Sequence, residues 1–137
     1  MRRIRARFRS ESSRPARPGQ AIVEFALASL VFLMIVFGTI DLGRAAFTAV
    51  TLHNAVREGA RYGKVNPTQT GTIQSKVSDQ VSKTGSSTSS VTVSCGGGCV
   101  SGSTMTVSAS ISFQAITQNL LGISPFTLSS SSQVDIE

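Results

Sequence analysis

The sequence has few of the residues on which catalysis and metal binding usually depend. Its 137 residues include one histidine, two cysteines, one tyrosine and no tryptophan. A structural zinc site takes four ligands, and His53 has no second imidazole to join it. The sequence also shows no Ser-His-Asp set, no paired carboxylates and no glycine-rich phosphate-binding loop. We therefore predict neither an enzyme nor a protein that binds a metal, a cofactor or a small-molecule substrate.

Charged residues are also scarce, at 15% of the chain, and they are unevenly placed. The leader, residues 1–19, is rich in arginine and contains one acid, Glu11. The net charge of +6 comes from this leader, because acidic and basic residues balance in the rest of the chain. No recognisable nucleic-acid-binding module accompanies the arginines, so we do not expect a nucleic-acid partner.

A long apolar run follows the leader. Residues 21–40 contain a single charged side chain, Glu24. As a helix they span roughly 30 Å, the thickness of a bilayer's hydrocarbon core. A buried helix in a soluble domain is the alternative, but no other segment is apolar enough to surround it. Arginines before the run place the N-terminus in the cytoplasm, so we predict a single-pass membrane protein with an extracytoplasmic C-terminal part.

The start of the apolar run does not look like an ordinary secretory signal. The run is longer than a signal's apolar region, and no Ala-x-Ala-like cleavage site follows it. Instead, Gly19 precedes the run and Glu24 lies inside it, where a carboxylate is costly and is by default functional. Cleavage after Gly19 would create a positive amine at Gln20, one helical turn from Glu24. That amine, or the amine of a neighbouring subunit, is the partner that Glu24 needs.

The junction from Gly19 to Glu24, behind a basic leader, resembles the prepilin peptidase site of type IV pilins and pseudopilins. Three blocks narrow the resemblance to the TadE-like proteins of the tight-adherence (Tad, or Flp) pilus system. The first block runs from Gly19 to Leu27. The family-motif residues of the other two blocks are Asp41, Gly43, Arg44, Asn54, Arg57, Glu58, Gly59, Ala60 and Arg61. Many members carry a proline in the first half of the span, where this chain has Ser29-Leu30.

The resemblance implies a minor pseudopilin of the bacterial cytoplasmic membrane that can associate with the pilus. A prepilin peptidase processes it, and it helps to assemble or prime a Flp-type adhesive pilus. Its expected partners are the peptidase, other pilus or pseudopilin subunits, the assembly machinery and the lipid bilayer. A pseudopilin of a type II secretion or DNA-uptake machine is a second possibility. A signal-anchored extracytoplasmic binding module is a third, and an uncleaved N-terminus would distinguish it.

We expect an α+β, pseudopilin-like fold with four segments. The leader, 1–19, is removed; a transmembrane helix covers 20–41; and a helical stem covers 42–66, until Asn66-Pro67 ends it. Residues 67–137 form a small domain. Within the stem, we expect Gly59 and Gly63 to loosen the end of the helix.

Three features of the stem allow more than one interpretation. Asp41 and Arg44 form either an interfacial pair at the helix end or a contact between subunits. Glu58, beside two arginines, belongs either to a solvated cluster or to a clamp onto the small domain. His53 is expected at the surface or in helix packing.

The small domain shows two periodicities. Ile73, Val77 and Val81 recur every four residues and predict a helix of about 12 residues. Beyond Gly85 the period becomes two, which predicts three antiparallel strands with one apolar face each. The alternating apolar residues are Val91, Val93 and Cys95; Met105, Val107, Ala109, Ile111 and Phe113; and Phe126, Leu128, Val134 and Ile136. The short helix or the lower stem must cover the apolar face.

Two connections in this domain carry further predictions. Residues 114–121 are expected to form a short helical turn. Cys95 and Cys99, separated by three glycines in an oxidising compartment, are expected to form a disulfide between the first two strands. The serine runs at 86–90 and 129–132 indicate edge or turn polarity rather than nucleophiles.

Overall fold

The computed structural model describes residues 18–83, 85, 88–118, 122 and 124–137. Its first element is one continuous helix, α1 (Pro18–Val65). Proline is well suited to the first helical position, where its missing N–H has no acceptor. No further proline occurs before Asn66-Pro67, which ends the helix as predicted. Residues 1–17 of the leader lie outside the described residues.

The chain divides into two compact units, residues Met1–Leu33 and Met34–Glu137. The described part of the first unit is helical, and its large apolar side chains are exposed; Phe25, for example, is 75% exposed. Within the described residues, α1 is the one helix long and apolar enough to cross a membrane. Exposed apolar side chains on all sides of a helix are expected where lipid, not protein, surrounds it.

The second unit adds a short helix and a sheet to the rest of α1. Helix α2 (Thr70–Ser82) is followed by strands β1 (Thr88–Gly96), β2 (Thr104–Phe113) and β3 (Phe126–Asp135). The strands form an antiparallel sheet in the order β1-β2-β3. The α+β architecture predicted from the two periodicities is therefore confirmed.

The core lies between one face of the sheet and both helices. Strand β2 contributes every second residue, from Met105 to Phe113, and all five of these side chains are buried. Helix α2 contributes its four-residue stripe, in which Ile73, Val77 and Val81 are fully buried. Both α2 and α1 therefore cover the sheet, and the α1 contribution comes from Leu52, Ala55, Val56 and Ala60. Burial of each such large aliphatic side chain contributes about 1.5–3 kcal/mol of transfer free energy.

Gly59 and Gly63 allow this close packing, and the prediction that they loosen the end of α1 is wrong. Both lie inside α1 and face α2 and the sheet. A Cβ atom on Gly59 would lie 2.6 Å from Cγ2 of Val77, and one on Gly63 would overlap Sδ of Met105. The glycines therefore permit a helix approach that any side chain would prevent.

The connections follow the sequence signals only in part. Cys95 and Cys99 are bonded in a disulfide across the β1–β2 turn, where Gly97 and Gly98 adopt positive φ angles. After β2, Ile116 and Thr117 form a turn. Residues 119–121 of the helical turn expected over 114–121, and residues 86–87 of the first serine run, lie outside the described residues.

The close packing of Gly59 can be tested by substitution, with Gly43, another glycine of α1, as the control position. Gly59→Ala should lower the free energy of unfolding by about 1–3 kcal/mol, because the methyl group overpacks against the β-branched Val77. Gly43→Ala should raise it by up to about 1 kcal/mol, since nothing lies within 4 Å of that position and alanine favours the helix. Chemical unfolding of the full chain in detergent micelles measures both. Stabilisation by both substitutions would contradict the packing described for Gly59.

Candidate functional site

All the predicted site residues except the two cysteines lie on α1. Gly19 falls in its first turn, and Gln20 and Glu24 lie one turn apart on its exposed surface. Glu24 has no hydrogen-bond partner among the described residues. Because Glu24 is exposed, its carboxylate is accessible to a cation from outside the chain. Because Gln20 lies one turn away, the carboxylate is also within reach of the amine that processing would create.

Asp41 is the most strongly held polar group in the described residues. Its carboxylate accepts hydrogen bonds from the backbone N–H groups of Ile116 and Thr117, each at 2.9 Å, and from the Thr117 hydroxyl at 2.8 Å. Arg44 donates a further bond at 3.1 Å. Asp41 is only 6% exposed. It directly follows the apolar run 21–40 and is bonded within the second unit, so its carboxylate lies outside the apolar segment, although the transmembrane helix was expected over 20–41. This single side chain thus fastens the turn after β2 to α1, within the second unit.

These bonds change the acidity of Asp41. The backbone N–H groups of Thr117 and then Ile116 make the largest contributions and lower the pKa of its carboxyl from 3.8 to about 2. Partial burial acts in the opposite direction, while the Thr117 hydroxyl and Arg44 lower the pKa further. A carboxylate that accepts several N–H bonds is stabilised in its charged form. The turn after β2 is therefore held by an anion, not by a neutral acid.

Neither sequence-based interpretation of Asp41 and Arg44 describes the main contact. The pair forms, at 3.1 Å, but three of the four bonds to Asp41 come from the turn after β2. Arg44 extends the same junction, because its guanidinium lies 5.4 Å from the ring centre of Phe113, at the end of β2. Gly43 has open space beside it and takes no part in this packing.

The third motif block, which holds the family-motif residues from Asn54 to Arg61, presents two faces of α1. Gly59 and Ala60 face the core, whereas the polar members are exposed: Asn54, Arg57, Glu58 and Arg61. Arg61 donates two hydrogen bonds to the Glu58 carboxylate, each at 3.1 Å. These bonds lower the pKa of Glu58 and raise that of Arg61.

The Glu58–Arg61 pair lies on one helix in contact with solvent, so it corresponds to the solvated cluster. An exposed pair of this kind adds little stability. A clamp between α1 and the end of the chain is formed by other residues, Lys64 and Glu137.

His53 contacts the sheet and is not isolated on the surface. Its Nδ1 atom lies 3.2 Å from the hydroxyl oxygen of Ser130, on β3. Together with the Lys64–Glu137 ion pair, this contact places β3 alongside α1. The expected packing contact of His53 is therefore a polar contact with β3.

Sequence reasoning missed the residues that complete these contacts: Thr117, Ile116, Ser130, Lys64 and Glu137. Each contact joins positions far apart in the chain, such as Asp41 and Thr117, and neither periodicity marks them. The one available signal was Asp41 itself, because a carboxylate next to an apolar run needs partners.

The role of Asp41 predicts a pH dependence with a defined sign. The folded-state pKa is lower than the unfolded-state value, so the contribution of Asp41 is fully present above about pH 4 and is lost as the pH falls from 3.8 towards 2. Asp41→Asn should lower the unfolding temperature at pH 7. As the pH falls from 3.8 towards 2, the unfolding temperature of this variant should fall less steeply than that of the wild type. Asp79→Asn, on the exposed surface of α2, removes the same charge and is the control. Thermal unfolding at pH 2 to 7 tests this; equal profiles for the two variants would contradict it.

Comparison with known proteins points to one family. A family model described as TadE-like protein matches residues 19–61, just under a third of the chain. No curated protein and no solved structure gives a significant match. The matched segment runs from the Gly19 junction through Asp41 to the Glu58–Arg61 pair. Residues 19–61 are thus a TadE-like segment, as the sequence blocks predicted.

Proposed function

We propose that this protein is a minor pseudopilin that takes part in assembling or priming a Flp-type adhesive pilus. The observation that carries the proposal is the TadE-like match over residues 19–61, which begins at Gly19, at the edge of the exposed apolar helix. The TadE-like family favours a Tad pilus role over a type II secretion or DNA-uptake machine.

In this proposal, α1 performs two tasks. Its exposed apolar part crosses the bacterial cytoplasmic membrane with the N-terminus in the cytoplasm, as the arginine-rich leader favours. Its remaining part carries the C-terminal domain on the extracytoplasmic side, where the Cys95–Cys99 disulfide is chemically stable. The partners are a prepilin peptidase, other pilus or pseudopilin subunits and the assembly machinery. The role is structural and requires neither catalysis nor a cofactor.

Glu24 has a defined task in this scheme. A carboxylate in an apolar environment is stable when a cation pairs with it, because the effective dielectric constant there is low. The amine freed at Gln20 by processing lies one turn away on the same helix. If the amine of a neighbouring subunit also comes within reach, Glu24 fixes the axial register between the two subunits.

Processing is the first test of the proposal. Co-expression with a prepilin peptidase should shorten the chain by 19 residues, with Gln20 as the new N-terminus identified by mass spectrometry. Gly19→Val should abolish cleavage, because a branched side chain replaces hydrogen at the cut bond. Gly38→Val, farther along α1 where nothing lies within 4 Å of the glycine, should leave cleavage intact. A mature protein that begins at Met1, or after residue 38, would refute the processing claim.

Assembly tests the role of Glu24 separately. Glu24→Ala and Glu24→Gln should leave membrane level and processing unchanged, since removing a charge does not oppose insertion. Pilus formation and crosslinking between subunits should nevertheless be lost, because the partner's amine stays unpaired in a low-dielectric setting. Piliation at the wild-type level in both variants would show that Glu24 sets no register.

A further inference from the structure

The two edges of the sheet differ in how they are covered. At the β1 edge, the Gln74 side chain of α2 donates a hydrogen bond to the carbonyl of Val91 at 3.2 Å. The Thr88 hydroxyl donates to that of Ser78, also on α2, at 3.4 Å. Helix α2 therefore occupies positions where another strand would pair with β1.

The hydrogen bonds at the end of β3 establish which of its backbone groups face outward. Ile136 donates its N–H to Ser103 and accepts a bond from Gly102, each at 2.9 Å, so both its polar groups point towards β2. Backbone groups alternate in direction along an antiparallel strand. The N–H and C=O groups that point away from the sheet therefore belong to Thr127, Ser129, Ser131 and Gln133.

The same alternation can be checked at the opposite edge. The residue pairing between β3 and β2, and then between β2 and β1, shows which backbone groups of β1 face β2. By this pairing, the N–H and C=O groups of Val91 point away from β2. The hydrogen bond from Gln74 to the Val91 carbonyl is found at that position. The outward direction of the β3 groups thus has independent support.

Between Ser129 and Gln133 the β3 edge carries no lysine, proline or bulge. Helix α1 approaches this edge at His53, beside Ser130, and at Lys64, whose carbonyl accepts a hydrogen bond from the N–H of Glu137 at 3.4 Å. Edge strands are commonly protected by lysine, proline, a bulge or a covering element. The sequence has no charged residue between Lys83 and Asp135, and no proline within β3. The β2–β3 register is unbroken from Thr104 to Phe113, whereas the β1–β2 register shifts once. In the described part of the chain, the outward backbone groups from Ser129 to Gln133 have no hydrogen-bond partner.

A basic groove of about 380 Å³ runs beside this edge, between β3 and α1. Of its cations, Arg61 pairs with Glu58 and Lys64 pairs with Glu137. Arg57 also lines the groove, is exposed, and has no ion-pair partner within the described residues. The groove thus offers one cationic group to a ligand that lies along β3.

The direction of β3 argues against a second copy as that ligand. Ser130 lies beside His53, and Glu137 lies beside Lys64, so β3 and α1 run in the same direction. Antiparallel pairing of two β3 strands would therefore set two α1 helices in opposite directions. Two chains inserted in one bilayer with the same topology cannot adopt that arrangement. The β1 edge of a second copy is already covered by α2.

We propose that the β3 edge binds an extended segment of a different polypeptide, which carries a carboxylate on the side that faces α1. The segment adds a strand to the sheet through the outward groups of Ser129, Ser131 and Gln133, and its carboxylate pairs with Arg57. Main-chain bonds supply affinity in this mode of recognition, and the side chain supplies specificity. The proposal does not depend on the pilus role or on processing, because every residue it uses belongs to the second unit.

The test uses the full chain in detergent micelles and two synthetic ten-residue peptides of alternating valine and threonine. One peptide has a central glutamate and the other a central lysine. The glutamate peptide should slow amide hydrogen exchange at Ser129, Ser131 and Gln133. Ser131→Pro removes an outward N–H donor from the edge. It should weaken binding of the glutamate peptide about tenfold, as expected when one hydrogen bond is lost and the bonds beside it are weakened. Ser131→Thr retains the donor and should bind like the wild type.

Arg57 provides the second arm of the test. The wild type should prefer the glutamate peptide to the lysine peptide, and Arg57→Gln should make the two affinities equal. Three results would overturn the proposal: unchanged exchange at the three amides, equal binding by the proline and threonine variants, or a charge preference that survives Arg57→Gln. Slow exchange at these amides without peptide would also overturn it, since the edge would then pair with a second copy.

Discussion

The hydrogen bonds of Asp41 join α1 to the turn after β2, within the second unit. Helix α1 enters this unit as a helix with exposed apolar side chains and must become one wall of a core. The buried residues of α1 begin at Asp41 and continue through Thr48 and Leu52. Asp41 is thus the first of the described residues of α1 to be buried. Because three of its four hydrogen bonds come from one turn, that turn is held against the helix.

Farther along α1, the same helix contacts the core through small residues. Gly59, Ala60 and Gly63 remove side-chain volume on the side that faces α2 and β2. The helix therefore combines two modes of attachment, a charged anchor at one end and close steric contact at the other. These two modes tolerate different substitutions, because an anchor depends on hydrogen bonds and a close contact depends on volume.

Most of the architecture follows from periodicity, whereas most of the site does not. The four-residue stripe of α2 and the alternation in β2 identify their buried faces, because burial on one face leaves a regular trace in the sequence. The partners of Asp41 and His53 leave no such trace, since each is a contact between distant segments. Gly59 and Gly63 were misinterpreted for a related reason. A glycine weakens an isolated helix, and only the neighbouring Val77 and Met105 show why it is needed here.

The absence of charged side chains between Lys83 and Asp135 has an electrostatic consequence for the sheet. The outer face of its central strand carries Thr104, Thr106, Ser108, Ser110 and Ser112, and none of these hydroxyls titrates in the physiological range. Over the part of this face away from Asp135, whose carboxylate accepts a hydrogen bond from the Thr104 hydroxyl at 3.1 Å, the potential is set by neutral dipoles, so salt screening and changes in pH affect it weakly. This part of the outer face therefore keeps the same charge when the ionic strength or acidity of the medium changes. Such variation acts instead on the ionised groups of the two helices and on those at the end of β3.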